Sequence, residues 1–306
     1  MKIKYPICLC LFFALCWASV VHAKLNVVAT TSDLGAIARE IGKDKVEVTS
    51  LAKPTEDPHF VDAKPSFIVK LNKADLLIEG GLQLEIGWLP NLVVGARNQK
   101  ILAGEKGYLV ASAEVPIIEV PTTADRAMGD VHPMGNPHFM LDPLNGKIVA
   151  MHICDRLCLI DVVNCNYYKD NLKDFTKRLY QKLSEWKKAL EPFRGTKIVT
   201  YHKTFPYFAN RFNLNVVGAL EPKPGIPPSP THINSLIPMM KNEGVKLILI
   251  EPFRERKTPE FAASQTGAKV VVFPIMAGSQ KETGDYLSLF DYTINQIVSA
   301  LKTKSQ

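Results

Sequence analysis

Between Tyr167 and Leu190 the chain carries its longest amphipathic pattern, and that stretch constrains everything around it. Leu172, Phe175, Leu179, Leu183, Trp186 and Leu190 recur at steps of three and four residues, with lysines between them. That spacing puts one apolar stripe on an α-helix. Pro192 and Gly195 stop it. At ~1.5 Å per residue the helix exceeds about 30 Å, enough to run along two packed lobes. Ahead of it, an apolar β-branched run at Leu25–Thr30 and further strands at Val46–Ser50 and Ala74–Glu79 alternate with helical patterns to about Ile41, through Pro65–Leu71 and near Glu85–Ala96. Ser32 or Asp33 is placed to cap the first of these helices. Beyond the long helix the alternation restarts, with strands at Lys197–Tyr201, Asn215–Leu220, Val245–Ile250 and Lys269–Phe273. Helices are expected between them over Thr204–Phe212, from Thr231 as cap to about Asn242, and over Thr258–Thr266, with a last one at Tyr286–Leu301. Strand–helix alternation of this kind builds parallel sheets covered by helices. The fold class is therefore α/β: two doubly wound lobes with parallel sheets joined by one long rigid linker helix. The expected divisions are a signal peptide over 1–23, an N-terminal lobe over 24–165, a linker over 166–193 and a C-terminal lobe over 194–306.

The N-terminus stands outside both lobes. Lys2 and Lys4 precede an apolar run from Ile7 to Val21, and Val21-His22-Ala23 closes it with the small-residue pattern of a cleavage site. Cleavage after Ala23 gives an exported, periplasmic protein. Lipidation at Cys16 is disfavoured by the bulky Leu15 before it. The formal charge of +7 falls to +5 once Lys2 and Lys4 leave. The remaining basic residues are scattered, so nucleic acid is not an expected partner. Cys154, Cys158 and Cys165 remain after cleavage, an odd number that allows at most one internal disulfide and a leftover thiol.

Two short stretches rhyme, Asp57-Pro58-His59-Phe60 and Asn136-Pro137-His138-Phe139. Proline fixes φ and has no backbone donor, so each pair is a stiff loop presenting an imidazole ahead of a helix. The phenylalanine is placed to pack behind the ring. His202 and Glu251 each lie one residue past an expected strand of the second lobe, where open parallel sheets bind ligands. His59, His138, His202 and Glu251 thus converge as candidate metal ligands, two from each lobe. Three neutral imidazoles and a carboxylate suit Zn2+ or Mn2+ and argue against Ca2+ or Mg2+. His132, in Gly129-Asp130-Val131-His132-Pro133, is a fifth candidate, either a peripheral ligand or a cap on the cleft. His152 and His232 fall within helices and read as structural. Asp142 is placed to cap a helix or to orient His138.

These stretches, with Val27-Val28-Ala29-Thr30-Thr31, Leu141-Asp142-Pro143, Tyr201-His202 and Glu251-Pro252, resemble the zinc/manganese substrate-binding proteins of bacterial ABC importers. The resemblance covers essentially the whole mature chain. It implies a metal held between two lobes by His59, His138 and His202, and docking onto an ABC importer membrane permease that receives the ion. On that basis the chain is a non-enzymatic monomer whose cargo is Zn2+ or Mn2+. Many members supply an acidic fourth ligand just after the last strand. Here Pro274-Ile275-Met276 stand there, leaving Glu251, a water, Glu282 or Asp285 for the fourth position. Zinc-specific members often carry a His/Asp-rich loop, whereas Glu119–Gly135 holds a single histidine, so the metal stays open. The rival reading is a secreted zinc metallohydrolase with Glu251 as general base, although no H-E-x-x-H motif is present. A third is a surface adhesin retaining a vestigial site.

Overall fold

The computed structural model describes residues 23–123 and 129–302, so the expected signal peptide lies, apart from Ala23, outside the described residues. The first half builds a parallel sheet from β1 (Leu25–Ala29), β2 (Val46–Ser50), β3 (Leu76–Glu79) and β4 (Tyr108–Val110), in the order β2-β1-β3-β4. The second half repeats the arrangement with β5 (Lys197–Thr200), β6 (Asn215–Ala219), β7 (Leu247–Ile250) and β8 (Lys269–Val272), ordered β6-β5-β7-β8. In each sheet the first strand lies between its two successors, so the chain reverses its direction of winding there. Loops beyond the carboxyl ends of those strands diverge and leave a crevice.

The first sheet carries α1 (Ser32–Gly42), α2 (Pro65–Asn72) and α3 (Leu89–Ala96). It is followed by α4 (Pro143–Ile160) and the long α5 (Cys165–Leu190). The second carries α6 (Pro206–Phe212), α7 (Pro230–Glu243), α8 (Lys257–Thr266) and α9 (Tyr286–Lys302). Two satellite clusters seal outer faces, one joining α2 and α3 to Val28 and Leu77 and the other joining α7 and α8 to Val199 and Ile248. The largest core is not divided between the halves. It runs from Val27 and Ile78 through Ile153, Phe175 and Trp186 to Phe205, Leu249 and Phe273.

α5 is pinned along its length to both neighbours. Asn171 donates to the Ile41 carbonyl at the end of α1 (2.9 Å), and Arg178 meets Glu40 at 2.5 Å. Trp186 donates to Asp291 of α9 at 2.8 Å. A disulfide joins Cys158 to Cys165 at the turn from α4 into α5, leaving Cys154 as a buried thiol, which is the one bridge and one leftover thiol that three cysteines permit. A frame cross-tied in this way favours small closure motions over a wide hinge.

Four local expectations need correction. Strand β4 adds to the expected strands, because three residues are too few to show a period. α3 starts at Leu89 rather than near Glu85. Leu82 (φ +54°) and Gln83 (φ +65°) form a left-handed turn there instead, and Glu85 is turned inward. The N-cap position of α1 is held by Thr31, whose side chain makes no capping hydrogen bond, while the Ser32 hydroxyl donates to the Ala277 carbonyl at 2.7 Å. α7 begins at Pro230 with Ser229, not Thr231, as its cap.

One close approach locks α9 against α4. A Cβ on Gly146 would lie 2.3 Å from Tyr286 Cε1 and 2.4 Å from its hydroxyl, and that hydroxyl donates to the Met140 carbonyl at 2.7 Å. Gly146→Ala is therefore expected to destabilise the protein by about 1–3 kcal/mol through overpacking, read as a lower urea midpoint at unchanged slope.

Candidate metal centre

His59 sits in the loop after β2, His138 immediately before α4, and His202 just past β5. One ring nitrogen from each lies within 4.8 Å of the other two. Their ring centroids are 5.1 Å (His59–His138), 5.6 Å (His59–His202) and 5.6 Å (His138–His202) apart. His138 and His202 are buried and His59 is half-buried. The Nε2 atoms of His59 and His138 are buried with no hydrogen-bond partner, although buried ring nitrogens ordinarily find one. Nitrogens left bare and aimed at a common point have the donor chemistry of a transition-metal site.

Two of the three imidazoles are held from behind. Asp57 Oδ1 accepts from His59 Nδ1 at 2.7 Å, and Glu221 Oε2 accepts from His202 Nδ1 at 2.6 Å. A carboxylate on Nδ1 fixes the tautomer and leaves the Nε2 lone pair free for an ion. Trp88 donates to the Pro58 carbonyl at 3.0 Å and fastens the first Pro-His loop. The neighbouring Phe60 does not pack behind the ring as expected; it is 68% exposed, with its centroid 6.1 Å from that of His59. Phe139 is buried. Asn136 fastens the second loop across to the other half: its side chain accepts from the His138 amide at 2.9 Å and donates to the Lys203 carbonyl at 2.8 Å.

A family model for zinc-uptake complex component A, periplasmic, matches residues 27–300. The chain belongs to this family. Among its curated relatives is the metal ABC transporter substrate-binding lipoprotein ScbA of Streptococcus cristatus, 28% identical over 91% of this chain and 89% of the relative. The manganese ABC transporter substrate-binding lipoprotein PsaA of Streptococcus pneumoniae is 27% identical over 91% and 89%. A crystal structure of ZnuA superposes with a TM-score of 0.75 at 22% identity, covering 90% of this chain and 99% of that one. A Mn-bound periplasmic metal binding protein from Candidatus Liberibacter asiaticus gives 0.74 at 23%, covering 91% and 100%. At those identities the structural matches speak for the fold.

In this zinc-uptake family member, Glu251 lies beside the histidine group, not within the 4.8 Å set. It is fully buried; Thr204 donates to its Oε1, while Oε2 has no hydrogen-bond partner. Burial pushes its carboxyl above the ordinary range, against the pull of His202 and Thr204. Arg254 draws the acidic groups together, at 3.2 Å from Glu221, 3.5 Å from Glu251 and 3.7 Å from Asp57. Burial works to raise Asp57, but the His59 ring and Arg254 outweigh it, and the carboxyl ends below its usual value. Burial, reinforced by the neighbouring rings, drives His138 well below the normal imidazole range, so it is held neutral and ready to ligate.

The remaining candidates fall away from the centre. Asp285 caps α9, accepting from the Leu287 and Ser288 amides at 2.8 and 2.9 Å, and Glu282 is exposed. Asp142 caps α4 through the Leu144 amide (2.9 Å) and takes a two-pronged pair from Arg211 at 2.7 and 2.6 Å, rather than touching His138. His152 meets Glu114 at 3.2 Å and His232 the Ala219 carbonyl at 3.0 Å, both structural contacts.

Two contributors were missed, Glu221 and Arg254. For Glu221 a signal was present: Glu221-Pro222 repeats Glu251-Pro252, each just past a strand of the second sheet. Glu221→Ala is expected to lower ion affinity by about 10- to 100-fold, the usual cost of losing a residue that orients a ligand. Competition titration against a chromophoric chelator measures it.

Proposed function

We propose that this protein captures a divalent transition metal, Zn2+ or Mn2+, outside the cytoplasm and hands it to an ABC-type importer. Three imidazole nitrogens, carried by loops from both halves and lying within 4.8 Å of one another, carry this reading. His59, His138 and His202 hold the ion, with Glu251 beside them to neutralise part of its charge. The family supports the transport role, since relatives such as ScbA and PsaA are named as substrate-binding lipoproteins of metal ABC transporters. The partner is the importer's membrane permease. Among the described residues no helix is long and apolar enough to cross a membrane, and the N-terminal reading adds export through a cleavable signal to the periplasm.

The protein is no enzyme on this reading. Glu251, the acid that a hydrolase would use as general base, is engaged instead by Thr204 and Arg254. Titration with Zn2+ and Mn2+ at stoichiometric protein, beside an esterase and phosphatase screen of the loaded protein, tests the reading. One ion bound tightly without turnover is the expected result; metal-dependent hydrolysis overturns it.

A further inference from the structure

Beside the three-imidazole set stands a further histidine, His132, that the set does not use. Its ring centroid is 5.2 Å from that of His59, the spacing found within the set. Its Nε2 is buried and has no hydrogen-bond partner. The Leu82 carbonyl lies close to the ring and favours a proton on it. That carbonyl belongs to the left-handed turn at Leu82–Gln83. His132 thus shares with His59 and His138 a buried, bare Nε2, in a ring set against that of His59.

The segment bearing His132 is tied across the site. Asp130 donates its amide to the Pro224 carbonyl at 2.8 Å. Gly129 (φ +81°) and Gly225 (φ +75°) allow this contact, because a Cβ on either would come within 2.3 Å of Pro224 O or Asp130 Oδ2. Asp130 lines each of three cavities that meet around the histidines, two of which His132 also lines. The strap therefore covers the mouth of the site, anchored to both halves.

We propose that His132 is the fourth ligand, closing over the captured ion to complete a tetrahedral shell of four imidazoles and making the site selective for zinc over manganese. This rests on the capture reading above. In the ion-free geometry His132 is not part of the 4.8 Å set, and movement of its ring, 5.2 Å from that of His59, towards the set closes the shell. Four neutral nitrogens fit Zn2+, which accepts tetrahedral imidazole ligation, whereas Mn2+ favours oxygen donors and higher coordination. Glu251, outside the set, then balances charge without binding.

X-ray absorption on the zinc-loaded, full-length mature protein counts imidazoles directly. Four nitrogens in the wild type, and three plus an oxygen in His132→Ala, are expected. The variant should lose more than about 100-fold in zinc affinity, beyond what an orienting residue contributes, and His132→Asp should shift preference towards Mn2+. Three imidazoles and an oxygen in the wild type, or wild-type zinc affinity in His132→Ala, overturns the inference. His138→Ala separates the two readings. If it binds as the wild type does, the capture site itself is misplaced; if it fails while His132→Ala binds normally, only the role of His132 falls.

Discussion

Replacing His138 with alanine is expected to abolish tight binding of Zn2+ or Mn2+ while the protein stays folded. Loss of one of three ligands from a site held together by stiff loops removes the geometry as well as the donor, because a divalent ion needs its nitrogens placed within tenths of an ångström. The fold survives because Nε2 of His138 has no partner to lose, and its loop is fastened by Asn136 rather than by the ring. The variant should also resist acid better when ion-free. Burial and the adjacent rings lower the native pKa of His138 well below its ordinary 6.5. As pH falls through 6.5, the unfolded chain takes up a proton that the native state refuses, so stability present above that pH is lost below it, by about 1.4 kcal/mol per pH unit. His138→Ala removes that slope. Urea unfolding of the metal-free proteins between pH 7 and 5 measures the difference, and chelator competition measures the affinity.

Arg254→Met should have effects of opposite sign on stability and on binding. The guanidinium sits among Asp57, Glu221 and Glu251, and it also lies over the Tyr201 ring, 5.2 Å from its centroid. Taking away the cation leaves three poorly solvated carboxylates facing one another, two of which hold imidazoles in place. Breaking a buried ionic cluster from one side costs about 3 kcal/mol or more, so the ion-free variant should melt well below the wild type. A captured dication supplies the missing positive charge. Loading should therefore restore most of the lost stability, and affinity should rise by at least roughly tenfold. Thermal scans with and without Zn2+ test both halves; an Arg254→Met protein as stable as the wild type without metal would mean that the carboxylates are neutralised elsewhere.

Much of this architecture could be read in advance, and for a physical reason. The apolar stripe from Phe175 to Leu190 is a local pattern, set by 3.6-residue periodicity, and it forms α5 as expected. β3 and β7 are apolar runs whose burial needs no knowledge of partners. The paired Pro-His stretches are also local, since proline stiffens the chain wherever it lies. What escaped was cooperative. β4 is a strand because β3 offers it a ladder, and the turn at Leu82–Gln83 exists because Glu85 turns inward to accept from Thr30 (2.6 Å) and Gly80 (2.7 Å). Phe60 faces solvent because Trp88, remote in sequence, already fastens its loop.

The same division runs through the metal centre. Residue types and their positions beyond strands named His59, His138 and His202, because imidazole chemistry and parallel-sheet topology are properties that a linear order already contains. Only the folded chain could show that Glu221 stands behind the His202 ring, that Arg254 gathers the carboxylates, that Asp285 is committed to a helix end, and that His132 carries a buried, bare nitrogen beside His59. Hydrogen bonds of this kind join residues far apart along the chain, and their geometry depends on ångström-scale packing that no one-dimensional spacing encodes.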